Sequence, residues 1–357
     1  MRALPPRWVR RPVGVVVVGL LAYAVLSTPW PLLLVLLAVL AGHVPGRWRA
    51  LRLLAFAVVG VLLEAAGLLA AGLLWLVLGG WLPGADRLRL PRSQRAHLAV
   101  LRALLVALVR AAQVLFGLRL STAAVSWSPL DDGVPGSEQA MLVLSRHAGP
   151  GDSLLLVHTL LDRDHLRRPR VVLKDTLALD PLVDVYLHRL PSSFVRPEDG
   201  PEVVGELARG LGTEDALLIF PEGGNVTPAR RLRAIASLRR KGMAARALRA
   251  EGLAELLPPR PGGVVAALAA APHADVVLVA HTGLEHLSTL GDVWRGLPLD
   301  TTLVLRWWFV PAAQVPRDPA AQVDWLDERW AELDAWVAEN RPPQGRRRRG
   351  GQDPGTA

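Results

Sequence analysis

The chain has 357 residues, enough for one large domain or two ordinary ones. Of these, 51% are hydrophobic, and the mean hydropathy of +0.29 is high for a soluble enzyme. There is no cysteine, which excludes disulfides, thiolate metal sites and cysteine nucleophiles. The formal net charge is +9, and because the charges flank apolar segments they point to anionic lipid rather than nucleic acid. Lys174 and Lys241 are the only lysines among 41 basic residues, an arginine bias that suggests a GC-rich bacterial genome.

Two apolar stretches come first, at 13–42 and 53–82. Each is roughly thirty residues with almost no charge, beyond the approximately twenty that cross a bilayer. Thr28-Pro29-Trp30-Pro31 interrupts the first, which is therefore either one kinked span or two short helices in a re-entrant hairpin. Trp30 suits a turn at an interface and favours the hairpin, while Trp8, Trp48, Trp75 and Trp81 mark the segment ends. Arginines at 2, 7, 10 and 11, and again at 87, 89, 92 and 95, belong on the cytoplasmic side. Two spans satisfy both groups but misplace Arg47, Arg49 and Arg52; monotopic burial satisfies all three. Either way the rest of the chain is expected to face the cytoplasm at the cell (inner) membrane. The apolar run is too long for a cleaved signal peptide. Residues 93–118 carry Arg95, Arg102 and Arg110 among Leu, Val and Ala at helical spacing. They form either an amphipathic helix on the membrane surface or a core helix with a solvated arginine face.

From about residue 139, short apolar runs alternate with helical patterns, which predicts an α/β fold. Strands are expected at 140–145, 170–173, 193–195, 216–220, 275–280 and 302–310. Helices are expected at 153–162, 181–188, 202–211, 229–250, 263–271 and 321–339. Residues 341–357 contain four consecutive arginines among Pro, Gly and Gln and read as a disordered basic tail. The predicted organisation is membrane-anchoring helices over 1–90, a catalytic domain over 91–340, and the tail.

Two motifs carry chemistry. His147-Ala148-Gly149-Pro150-Gly151-Asp152 falls between a strand and a helix, and its carboxylate can fix the imidazole tautomer so that the other nitrogen accepts a proton. No serine stands in a nucleophile-elbow context, so the natural role for His147 is general base on a substrate alcohol. Phe220-Pro221-Glu222-Gly223 follows the apolar strand at 216–220 and sets one carboxylate in a turn with little side-chain bulk. His281, Glu285 and His286 suggest a metal cluster, but no flanking ligand supports it, and they are expected in a loop after a strand.

Together these motifs resemble the glycerolipid acyltransferase superfamily, the 1-acylglycerol-3-phosphate acyltransferases and their relatives, over roughly residues 120–340. The resemblance implies a mixed sheet flanked by helices behind hydrophobic N-terminal membrane helices. It implies His147 as base and Asp152 as its orienting partner. It also implies Lys174 and Arg196 as cations holding the acceptor phosphate, with Glu222 and Gly223 at the acceptor site. The implied substrates are acyl-CoA or acyl carrier protein and a lysophospholipid, with no metal or cofactor. Leu257-Pro258-Pro259-Arg260-Pro261-Gly262-Gly263 and Trp325-Leu326-Asp327-Glu328-Arg329-Trp330 are similar to the branch containing lysocardiolipin and lysophosphatidylinositol acyltransferases. Two positions depart from the pattern. Arg146 replaces a polar residue before the motif His, and Gly224-Asn225 replaces Thr-Arg, leaving Arg230 or Arg231 as substitute phosphate donors. The departures put two alternatives beside the main reading: a neutral or glycosylated acceptor, and an inactive membrane-bound scaffold.

Overall fold

The computed structural model describes residues 4–44, 46–82, 87–121, 139–149, 151–161, 167–195, 199–283, 285, 287 and 290–341. The first apolar stretch is two helices, α1 (Arg7–Leu26) and α2 (Trp30–Leu40). Pro29 and Pro31 explain the break: neither supplies an N–H, and Pro31 falls in the first turn of α2, where none is needed. The second stretch is α3 (Arg49–Val77), and α4 is Pro91–Phe116. By length and composition α1, α3 and α4 could each cross a membrane.

Their packing separates them. Leu98 and Leu105 of α4 lie in one core with Met141, Val143 and Val277, whereas Arg95 and Arg110 are exposed, so α4 is a core helix with a solvated arginine face. α3 is bonded to the rest of the chain along most of its length. Arg49 donates to the carbonyls of Arg295 and Leu297, and Arg52 to that of Leu115, at the C-terminal ends of two helices where cations are favoured. Further on, Glu64 accepts from the amide of Leu182 at 3.0 Å, Tyr186 donates to the carbonyl of Gly67, and Arg189 to that of Ala71. The outward faces of α1, α2 and α3 expose large apolar side chains, among them Leu20, Leu33, Leu36, Leu69 and Leu73.

Seven strands form one mixed sheet: β1 (Arg119–Ser121), β2 (Met141–Ser145), β3 (Arg168–Lys174), β4 (Ser192–Val195), β5 (Asp215–Ile219), β6 (Asp275–Thr282) and β7 (Thr302–Val310). Their order is β1-β7-β6-β2-β5-β3-β4, with every pairing parallel except β6 with β7. The central strands β2 and β5 are buried throughout, as near-continuous apolar runs covered on both faces should be. One face is covered by α4 and α5 (Asp152–Leu160). The other is covered by α7 (Glu202–Ala208), α10 (Pro261–Ala270) and α12 (Pro319–Asn340). α6 (Pro181–Leu187) sits between β3 and β4 and receives α1 and α3.

Four expectations are corrected. The helix expected over 229–250 is two, α8 (Pro228–Arg240) and α9 (Ala244–Gly252). Gly242 takes φ 73°, and the amide of Met243 returns to the carbonyl of Leu238, which terminates the first helix in a left-handed turn. The short strand β1 and the helix α11 (Leu290–Gly296) were not anticipated. His281 is in β6, not in a loop, because antiparallel pairing with β7 carries the strand through Thr282. The basic tail beyond Arg341 lies outside the described residues, as do Arg196 and His286.

Candidate active site

β2 and β5 are hydrogen-bonded neighbours, so the segments leaving their C-terminal ends are brought side by side. The crevice beyond the carboxyl ends of strands is where open α/β sheets bind ligands. From β2 come Arg146, His147 and, at the start of α5, Asp152; from β5 come Phe220, Glu222, Gly223 and Gly224.

His147 Nδ1 lies 3.0 Å from Asp152 Oδ2, and the same oxygen accepts from the amides of Ala148 at 2.7 Å and Gly149 at 2.8 Å. One carboxylate oxygen thus folds the loop and orients the imidazole. Asp152 is 1% exposed. Burial alone would raise its pKa, but His281, the His147 hydrogen bond and the Gly149 amide outweigh it and hold the carboxyl below its ordinary value. The His147 ring is partly exposed and lies 4.9 Å, centroid to centroid, from the ring of Phe220. With Nδ1 engaged, Nε2 is the nitrogen left for a substrate.

Glu222 stands beneath this loop. Its Oε1 accepts from the His147 amide at 3.2 Å, and its Oε2 from the Leu257 amide at 3.3 Å. It is 2% exposed, and burial pushes its carboxyl up to about 8 despite Arg146 and the two amides. The long donor–acceptor distances suit a neutral carboxyl better than a charged one. Glu222 therefore braces the His147 loop against the 257–260 segment rather than facing open space. Gly223 (φ 68°) and Gly224 (φ 155°) follow it with positive φ.

Lys174 is exposed at the C-terminal end of β3, on the same edge of the sheet as His147. Two residues gain a place the sequence did not indicate. Arg146 is buried and donates to the carbonyl of His281 at 2.7 Å and to Glu285 Oε1 at 2.9 Å. Burial raises the Glu285 carboxyl but Arg146 outweighs it, so its pKa is lowered. His281, 3% exposed, has Nε2 3.8 Å from Asp152 Oδ2, and burial lowers its pKa. No sequence spacing signals either contact, since both depend on β6 lying beside β2.

Residues 131–281 match the family model described as Acyltransferase. That segment takes in His147, Asp152, Lys174, Glu222, Arg260 and His281. The match covers less than half of the chain and is to an acyltransferase domain. Among solved structures, it is similar to the crystal structure of the 1-acyl-sn-glycerophosphate (LPA) acyltransferase PlsC from Thermotoga maritima. The identity is 15%, with a TM-score of 0.43, over 80% of this chain and 98% of that one, a likeness too loose to support further argument. No curated protein matches the chain.

Proposed function

We propose that the protein is a membrane-bound O-acyltransferase that moves a fatty acyl group from acyl-CoA or acyl carrier protein to a lysophospholipid hydroxyl. The acceptor we favour is 1-acylglycerol-3-phosphate, giving phosphatidic acid. The observation that carries this reading is the His147–Asp152 pair at the open end of β2, inside the segment that matches the acyltransferase family.

In this mechanism His147 Nε2 takes the proton of the acceptor hydroxyl as its oxygen attacks the thioester carbonyl. The tetrahedral intermediate collapses, the C–S bond breaks, and the departing thiolate recovers the proton from His147. Asp152 holds the tautomer and stabilises the imidazolium. The amides of Ala148 and Gly149 are already bonded to Asp152, so they are not the oxyanion donors. The first-turn amides of α5, which have no side-chain cap, are the groups we assign to that role. Lys174 and Arg196 are the cations assigned to the acceptor phosphate, and Glu222 and Gly223 shape the acceptor side. The outward apolar faces of α1, α2 and α3 rest in one leaflet, with the domain on the cytoplasmic side of the inner membrane.

The test is thiol release from acyl-CoA by the full chain in lipid nanodiscs, against a panel of lysolipids. Stimulation by lysophosphatidate is expected. If no acceptor stimulates release, the scaffold alternative takes over; if neutral acceptors work better, the acceptor is misassigned. His147→Ala should lower turnover about a hundredfold or more, the usual worth of a general base, and unchanged turnover removes His147 from that role.

A further inference from the structure

The side chains of β6 alternate between the two faces of the sheet. Val277 and Val279 belong to the core that holds Leu156, Val157 and Leu160 of α5, so His281, two residues further on, falls on the α5 face. The parallel pairing of β6 with β2 ends at Val279 opposite Ser145. His281 thus stands just past the last paired residue, where it meets Asp152, the first residue of α5.

One carboxylate oxygen is thereby shared by two imidazoles. Asp152 Oδ2 is 3.0 Å from His147 Nδ1 and 3.8 Å from His281 Nε2. The His147 side chain is 25% exposed and that of His281 3%, so one ring meets the crevice and the other lies in the core. Burial lowers the pKa of His281; Asp152 and Glu285 pull it up, Arg146 pushes it down, and the pull of the Arg146 carbonyl is the smallest. The ring is therefore neutral at neutral pH and carries one N–H. Its Nδ1 has no well-formed hydrogen bond among the described residues, so the carboxylate selects the tautomer with the proton on Nε2. At 3.8 Å the contact is a charge–dipole attraction rather than a hydrogen bond.

The backbone under the ring is held in place. Arg146, 1% exposed, donates to the His281 carbonyl and to Glu285 Oε1, and Glu285 Oε2 accepts from the Gly283 amide. A valine or leucine would fill this position as Val277 and Val279 fill theirs, without the desolvation cost of a buried imidazole. That cost falls at the place on β6 that meets the His147–Asp152 pair. What the ring supplies there is electrostatic. Once His147 has accepted a proton, Asp152 could take that proton for itself. An N–H dipole directed at Oδ2 from the core favours the ionised carboxylate and leaves the proton on His147, ready for return.

We propose that His281 is a positioning residue for the general base, acting on His147 through Asp152 by holding that carboxylate ionised and turned toward His147 Nδ1. That the proton comes from an acceptor hydroxyl rests on the acyl-transfer reading; the setting of His147 by His281 does not. Two measurements on the full chain in nanodiscs keep these apart. One is thiol release from acyl-CoA with lysophosphatidate. The other is the rate at which diethyl pyrocarbonate modifies His147 at neutral pH, followed on its own peptide by mass spectrometry. His281→Leu keeps an apolar filling and should slow both by about tenfold, the worth of one polar contact to a charged group. His281→Gln, whose amide N–H can stand where Nε2 stands, should recover most of the loss. In an Asp152→Asn background His281→Leu should cause no further loss, because its effect passes through the carboxylate. Unchanged rates in His281→Leu, a loss that Gln does not recover, or a full loss persisting beside Asp152→Asn overturns the proposal and leaves His281 a packing residue. If the wild-type chain releases no thiol with any acceptor while the modification of His147 follows this pattern, the positioning role stands and the acyl-transfer reading falls.

Discussion

At the scale of single residues, Glu222 shows how burial changes the task of a motif carboxyl. With its carboxyl pushed up to about 8 from an ordinary 4.5, the folded chain holds a proton that the unfolded chain has released across that interval. The associated stability is fully present below the unfolded value and is lost as pH rises through the folded one. Unfolding midpoints measured across that range should therefore fall more steeply for the wild type than for Glu222→Gln, which cannot ionise. Parallel curves would show that Glu222 is already charged in the folded protein. The motif was legible at this scale because His147 and Glu222 follow closely on strands and Asp152 opens the next helix. The brace from Glu222 to the His147 amide was not, because it depends on β2 and β5 being neighbours despite the seventy residues between. Arg146 and His281 escaped for the same reason: their partners come from another strand, and no local pattern encodes the pairing.

At the scale of elements, most helices and strands followed from apolar periodicity, and the misses have specific causes. The pattern of Ala, Leu and Arg runs unbroken through 229–250, so periodicity favoured one helix, while Lys241-Gly242 carried the stop signal. Gly242 sits at φ 73° with nothing within 4 Å of a Cβ, so Gly242→Ala tests backbone strain alone. It should cost about 1 kcal/mol in denaturant unfolding, with Asn at the same site costing less. β1 has only three residues and is stabilised by its parallel pairing with β7, which no local signal reveals. The two stretches that resembled one branch of the superfamily prove to touch. Trp330 of α12 donates to the Leu257 carbonyl, and Asp334 accepts the amides of Ala254, Glu255 and Leu256. A second junction holds α1. Asp184 of α6 is 1% exposed, accepts from Arg10 and Arg11, and has its carboxyl held low by them against the effect of burial. Asp184→Ala leaves the largely buried Arg10 with only the Pro5 carbonyl to bond and should cost about 3 kcal/mol, read as faster protease cleavage beyond Arg11. Equal cleavage rates would show the junction to be incidental.

At the scale of the whole molecule, the apolar helices read from sequence as two spans or as monotopic hairpins, and bonding along α3 now bears on the choice. A helix tied to one domain at positions 49, 52, 64, 67 and 71 is expected to lie against that domain rather than cross a bilayer away from it. The chain has no cysteine, so single cysteines at Arg47 and Arg89 can be labelled with an impermeant thiol reagent. Both should react from the same side of a sealed vesicle; opposite sides would restore a true span. The same junctions tie lipid contact to the mouth of the site. Lys174 closes β3, Ser192 opens β4, and the connection between them passes through α6, to which α1 and α3 are bonded. Seating depth of these helices in a membrane is therefore expected to bear on the candidate site. A short-chain detergent that shifts these helices is expected to pull on the chain leaving Lys174, so thiol release should fall on harsh extraction and recover on return to nanodiscs.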